Sequence, residues 1–129
     1  MNNPEISSMS LEEYKQYYEF LHKNWTKIDD FSEGGSHYHR TRFYMKYIKE
    51  GDCILDLGCN NGGLEKYLFD NVKDCDITAL DISESCIKRA VVLEPNAKYY
   101  VGAVEEIDFS NESFDIIVAG ELLEHVLDP

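Results

Sequence analysis

The chain has 129 residues, 43% of them apolar, and a formal net charge of −13. That length suits one ordinary domain or part of a larger one, and the apolar share excludes wholesale disorder. No stretch approaches the roughly 20 apolar residues of a membrane span.

The charge is uneven. Residues 1–50 are close to neutral, whereas residues 51–129 carry five Lys or Arg against seventeen Asp or Glu. Such a surface repels phosphate backbones and disfavours nucleic acid as a partner, although the basic stretch "HYHRTR" leaves that door open. The start, "MNNPEISSMS", has neither the basic residues nor the apolar run of a signal peptide, so a cytoplasmic location is expected. Cys53, Cys59, Cys75 and Cys86 show no closely spaced pairs. They read as reduced, mostly buried residues rather than zinc ligands.

From Ser10 to Trp25 the positions Leu11, Tyr14, Tyr18, Leu21 and Trp25 step by three and four. That is the stripe of an amphipathic helix, with Ser10 as N-cap and Glu13 closing a capping box. The aromatic members of the stripe read as packing. "DDFSEGGS" breaks the helix, and a second is expected from about His37 to Lys49, ended by Gly51. His37 and His39 on it read as part of a solvated basic face.

After Gly51 the pattern changes. "CILDL" reads as a buried strand and "GGLEKYLFDN" as a helix. "DITALDI" reads as a second strand, followed by a helix capped by Ser83 and closed by Pro95. "AKYYVGA" is a third strand, "NESFD" a turn, "FDIIVAG" a fourth strand, and "ELLEHVL" opens another helix. Alternation of this kind predicts an α/β fold with a mainly parallel sheet and right-handed crossovers.

The loop Asp56–Gly63 carries the chemistry. It follows a buried strand and opens a helix, so backbone N–H groups and the positive helix end converge there. Gly58, Gly62 and Gly63 permit close approach, and Asn60 tolerates a left-handed conformation. Asp81 ends the second strand at about the distance where doubly wound nucleotide folds place an acid on ribose hydroxyls. Asp56 discriminates between cofactors: it repels the pyrophosphate of a dinucleotide such as NAD and attracts an ammonium group. S-adenosylmethionine has a ribose, an adenine and an ammonium, and no phosphate.

Together, "ILDLGCNNGGLEKYL", "ALDIS", "GAVEEIDFSNESFDIIV" and "GELLEHVLDP" resemble, in order and spacing, the motifs of class I S-adenosylmethionine-dependent methyltransferases. The resemblance implies a Rossmann-like, doubly wound sheet with an N-terminal helical cap. Residues 1–50 would be the cap and 51–129 the cofactor-binding half, about four strands, with the family's C-terminal strands absent. The chain thus reads as truncated, with an open sheet edge that an oligomer or partner chain would cover.

Implied roles follow residue by residue. Asp56, Gly58 and Gly62 would surround the methionine part, with Asn60 standing where the family has glycine. Asp81 would hold the ribose, and Ile82 would pack on adenine. Val104 and Glu105 would meet the adenine edge, while Ala119 and Gly120 would border the sulfonium. The turn after the third strand has Ala103 where members often carry Asp.

"ELLEHV" places Glu121, Glu124 and His125 at i, i+3 and i+4, one helix face. The pattern resembles metal-assisted O-methyltransferases, in which a divalent cation orients the accepting hydroxyl. It also occurs in members without a metal, and metal binding is not the favoured expectation. His125, with Glu124 beside it, is the candidate base. The expected activity is methyl transfer from S-adenosylmethionine to a small-molecule acceptor, giving S-adenosylhomocysteine. The alternative is a non-catalytic cofactor-binding or scaffold module.

Overall fold

In the computed structural model, which describes residues 8–109 and 113–120, the pattern after Gly51 folds into a four-stranded parallel sheet. Its strands are β1 (Cys53–Leu57), β2 (Asp76–Asp81), β3 (Lys98–Val101) and β4 (Ile116–Val118). The helices are α1 (Leu11–His22), α2 (Tyr38–Tyr44), α3 (Gly63–Asn71) and α4 (Glu84–Leu93). The strand order is β3-β2-β1-β4.

Leu57 pairs with Leu80 and Asp56 with Ala79 on one side, and Asp56 pairs with Val118 on the other. The chain leaves β1 toward β2 and β3, then returns to β1's opposite edge as β4. The strand order thus reverses between β1 and β4, and open α/β sheets bind ligands at such a switch point, outside the strands' carboxyl ends.

The central strands are apolar because they are covered. Ile54, Leu64, Leu68, Val72, Ile77 and Val118 form one buried cluster, joined by Phe31 and Ile48 from the N-terminal segment. Burial of each such side chain contributes about 1.5–3 kcal/mol. The helical cap is thus built into the sheet's own core.

Polar contacts lock the cap in place. Ser10 and Glu13 form the expected capping box, with Ser10 N–H donating to Glu13 at 2.8 Å and Glu13 N–H to Ser10 Oγ at 3.2 Å. Glu19 of α1 accepts from the Ser83 hydroxyl at 2.8 Å and from the Ser85 hydroxyl, at the start of α4. In return, Arg89 of α4 donates to the carbonyls of His22 and Trp25, each at 3.1 Å, and to that of Lys23. Each helix supplies the charge that the other's end needs.

Four elements are shorter than the sequence predicts. α1 stops at His22 rather than Trp25, where Trp25 N–H turns back to the His22 carbonyl and Arg89 caps the carbonyls at its end. α2 stops at Tyr44 rather than Lys49, where bonds from Lys46 to Phe43 and Tyr47 to Tyr44 tighten the chain into turns. β3 and β4 keep only four and three residues. The "ELLEHVL" helix lies outside the described residues. No helix among the described residues is long and apolar enough to cross a membrane.

Candidate functional site

A cavity of about 750 Å³ opens at the carboxyl ends of β1, β2 and β4, roofed by α1, α2 and the segment between them. Of the residues singled out in the sequence, Asp56, Gly58, Asn60, Asp81, Ile82, Val104, Glu105 and Gly120 line it. Gly62 and Ala119 do not. Ala119 borders a separate hollow beside Tyr44 and Tyr47.

Gly62 has φ +91 and abuts α4: a Cβ there would lie 2.9 Å from the Cβ of Ala90. At Gly63 a Cβ would lie 2.3 Å from the Asp29 carbonyl. These glycines permit close approach of protein to protein, α4 on one side and the cap on the other. Asn61 completes the clamp, its side-chain amide donating to the carbonyls of Trp25 at 2.8 Å and Lys27 at 2.6 Å.

Four of the loop's backbone donors are committed internally. Gly58 and Cys59 N–H both bond the Leu80 carbonyl, at 2.8 and 2.9 Å, and Gly62 N–H bonds the Cys59 carbonyl. Asn60, at φ 53, donates its N–H to Asp81 Oδ2 at 2.8 Å. A loop that cradles phosphate leaves such groups free for the anion. Here those of Gly58, Cys59, Asn60 and Gly62 are taken, which agrees with Asp56 in disfavouring a dinucleotide.

Two buried carboxyls face the cavity in different surroundings. Asp81 accepts from Asn60 N–H on one oxygen and from Ser83 N–H at 2.9 Å on the other. Burial raises its pKa while those two bonds and nearby His22 pull it back. His22, Asp81 and Cys86 set a ring nitrogen, a carboxylate oxygen and a thiol within 4.8 Å of one another. Cys86, its thiol pushed up to about 11 by burial and then by Asp81, donates to Asn60 Oδ1 at 3.4 Å. The corner is a hydrogen-bonded network tying loop, α1 and α4 together.

Asp56 has a different neighbour. Burial, the largest cause, raises its pKa, and its carboxyl lies in hydrogen-bonding range of Glu65 on α3. Cys59 is also held well above the usual thiol range, by burial and then by Glu65, Asp81 and Asp56 around it.

The cap contributes more to the cavity than its sequence suggests. Tyr14 and Tyr18 are buried, with ring centroids 4.7 Å apart, and line the cavity with Lys27, Arg40 and Tyr44. Trp25, read as packing, is 47% exposed at the same cavity. His37 lines the cavity with its Nε2 3.7 Å from Asp29, a correction to the solvated-face reading, whereas His39 is exposed. Of the cysteines, Cys59 and Cys86 are buried and Cys53 and Cys75 only partly so. The sequence reading missed Glu65, Asn61 and His22. Their signal was faint: an acid at the third position of an otherwise core-facing helix, and polar residues at spacings that no motif explains. Glu121, Glu124 and His125 lie outside the described residues.

A profile described as "Methyltransferase domain" matches residues 54–129, and the chain belongs to that family. The ubiquinone biosynthesis O-methyltransferase of Coxiella burnetii is 35% identical over 94 residues, which are 66% of this chain and 39% of that protein. The crystal structure of a TehB-like SAM-dependent methyltransferase from Corynebacterium glutamicum has a TM-score of 0.59 at 27% identity. That match covers 94% of this chain and 58% of the other. A phosphoethanolamine N-methyltransferase of Haemonchus contortus, in complex with phosphoethanolamine and S-adenosylhomocysteine, shares the fold, with a TM-score of 0.60 at 15% identity over 84% of this chain and 26% of its own. The chain spans between 20% and 39% of the length of the curated relatives it matches at this level. The fold is a Rossmann-like α/β sheet, as the alternating sequence pattern predicts.

Proposed function

We propose that the cavity binds S-adenosylmethionine and that the protein transfers its methyl group to a small-molecule acceptor. One observation carries this reading: Asp56 and Asp81 face one cavity at the sheet's switch point, beside a loop in which four backbone donors are already committed. Asp81 suits a diol, because its oxygens are oriented by backbone donors and retain acceptor capacity for hydroxyls. Asp56 suits the ammonium. Ile82, Val104 and Glu105 line the part proposed for adenine, and Gly58, Asn60 and Gly120 the part proposed for the methionine chain. A cavity of about 750 Å³ falls in the range of small-molecule sites. Family membership supports the reading, as does the Corynebacterium neighbour described as SAM-dependent.

In the proposed reaction an acceptor oxygen, nitrogen or carbon attacks the sulfonium methyl in line. The new bond to the methyl forms as the sulfur–methyl bond breaks, and sulfur keeps the electron pair in S-adenosylhomocysteine. A proton leaves the acceptor, and His125, with Glu124 beside it, is proposed to take it on the strength of sequence spacing. Rate acceleration rests mainly on holding the two reactants in line and excluding water. Residues 1–50, as a cap, would supply the acceptor's surroundings through Tyr14, Tyr18, Arg40 and Tyr44.

The test is calorimetric titration of wild-type protein and Asp81→Ala with S-adenosylmethionine, S-adenosylhomocysteine and NAD. Binding of the sulfur cofactors alone, lost in the variant, is the expected result. NAD binding would sink the proposal. Binding without methyl transfer to any offered acceptor would favour a non-catalytic cofactor-binding module.

A further inference from the structure

Glu65 is fully buried at the third position of α3, yet it does not line the cavity. Neither of its carboxyl oxygens accepts from an N–H or O–H group among the described residues. Its close polar neighbour is the carboxyl of Asp56 on β1, which does line the cavity. The other titratable groups facing it are Cys59 on the loop, Asp81 on β2 and Tyr99 on β3. Two of these could donate, but both are committed: Tyr99 gives its hydroxyl proton to the Glu94 carbonyl at 2.7 Å, and Cys59 its thiol to the Asn60 carbonyl at 3.6 Å.

Carboxylates only accept, so two of them in hydrogen-bonding range need one proton between them. Like charges at such range do not both ionise when buried. The proton belongs on Glu65, which is fully buried and set back from the cavity, whereas Asp56 faces it. Burial and the neighbouring acids act in that direction, holding its pKa well above the usual glutamate range.

We infer that Glu65 is a positioning residue that keeps a proton and donates it to Asp56, so that the pair meets the cofactor's ammonium group as a single negative charge. The inference rests on the proposed cofactor reading. It follows that pair and ammonium together are neutral, so binding near neutral pH needs no change in proton count. It also follows that an uncharged donor in place of Glu65 suffices.

The experiment uses the full chain as wild type, Glu65→Gln and Glu65→Leu. The infrared carbonyl band of a protonated carboxyl should be present in wild type near neutral pH and absent in Glu65→Gln. By calorimetry, Glu65→Gln should bind S-adenosylhomocysteine within about twofold of wild type, and Glu65→Leu should bind roughly tenfold more weakly or worse. The pH profile supplies a readout that packing alone would not move. A carboxyl whose folded pKa is raised contributes stability below its unfolded value, of about 4.3, and loses it as pH rises toward the folded value. The thermal midpoint of wild type should therefore fall relative to Glu65→Gln between about pH 5 and pH 8.

Lack of the band, or tenfold weaker binding by a folded Glu65→Gln, would overturn the inference. If Glu65→Leu does not fold, the infrared and pH results on Glu65→Gln decide it. The band without any binding of S-adenosylhomocysteine by wild type would instead overturn the cofactor reading, and the ammonium role with it.

Discussion

The two acids of the cavity occupy contrasting corners. At the Asp81 corner the carboxylate is surrounded by donors: the backbone N–H groups of Asn60 and Ser83, with His22 nearby. At the Asp56 corner the neighbour is another acid, buried Glu65. A corner rich in donors holds a negative charge steadily and leaves lone pairs for hydroxyls. A corner of two acids is short of positive charge and gains most from a cation. The difference supports the proposed placement of ribose at one end and ammonium at the other.

That contrast can be broken most strongly at the donor-rich end. Asp81→Ala removes the acceptor for two backbone N–H groups together with the proposed ribose contact. Affinity for S-adenosylhomocysteine should fall on the order of 100-fold, about 2.7 kcal/mol, by calorimetry. Gly62→Ala attacks the packing that holds the loop between the corners. A left-handed alanine whose Cβ meets Ala90 at 2.9 Å should cost about 2 kcal/mol in denaturant unfolding. Ala90→Gly in the same chain should relieve the contact with the Ala90 Cβ, but not that with its Cα at 3.0 Å or the backbone strain.

A smaller effect is expected from Arg89→Ala, which frees the carbonyls at the end of α1 and loosens the cap over the Asp81 corner. Stability should drop by about 1–2 kcal/mol, with hydrogen exchange rising first in α1. The pH dependence of Glu19 sharpens the contrast from the opposite side. Burial works against its charge, but the Ser85 and Ser83 hydroxyls and the backbone N–H groups at the start of α4 hold its pKa below the usual value. Its contribution is present above the ordinary glutamate pKa and is lost as pH falls through the lowered one. Glu19→Gln should therefore narrow its stability gap to wild type in acid, whereas wild type should lose ground to Glu65→Gln as pH rises.

The sequence made the frame legible where local rules and the frame agree. Ser10 with Glu13, Ser83 before α4, and the apolar runs of β1 and β2 each became what their pattern predicts. Asp56 and Asp81 were legible as cavity residues because strand ends at a switch point have few other places to face. What was hidden depends on contacts between distant segments. Gly62 carries the spacing of a ligand loop, yet its neighbour is Ala90, which no local pattern reveals. Trp25 continues a helical stripe, but α1 ends before it, and its end is capped by Arg89, far along the chain. Glu65 shares a face with buried Leu68, three residues on, and only the sheet packed beneath α3 turns it into a partner for Asp56.

The most direct test of the two-corner account compares S-adenosylhomocysteine with 5′-methylthioadenosine, which keeps the nucleoside and lacks the ammonium. Calorimetric affinities for both would be measured on wild type and Asp56→Asn. Wild type should prefer S-adenosylhomocysteine by roughly tenfold or more, and Asp56→Asn should lose that preference while binding methylthioadenosine as before. Equal weakening of both ligands, or a preference that survives in Asp56→Asn, would contradict the assignment of the ammonium to this corner.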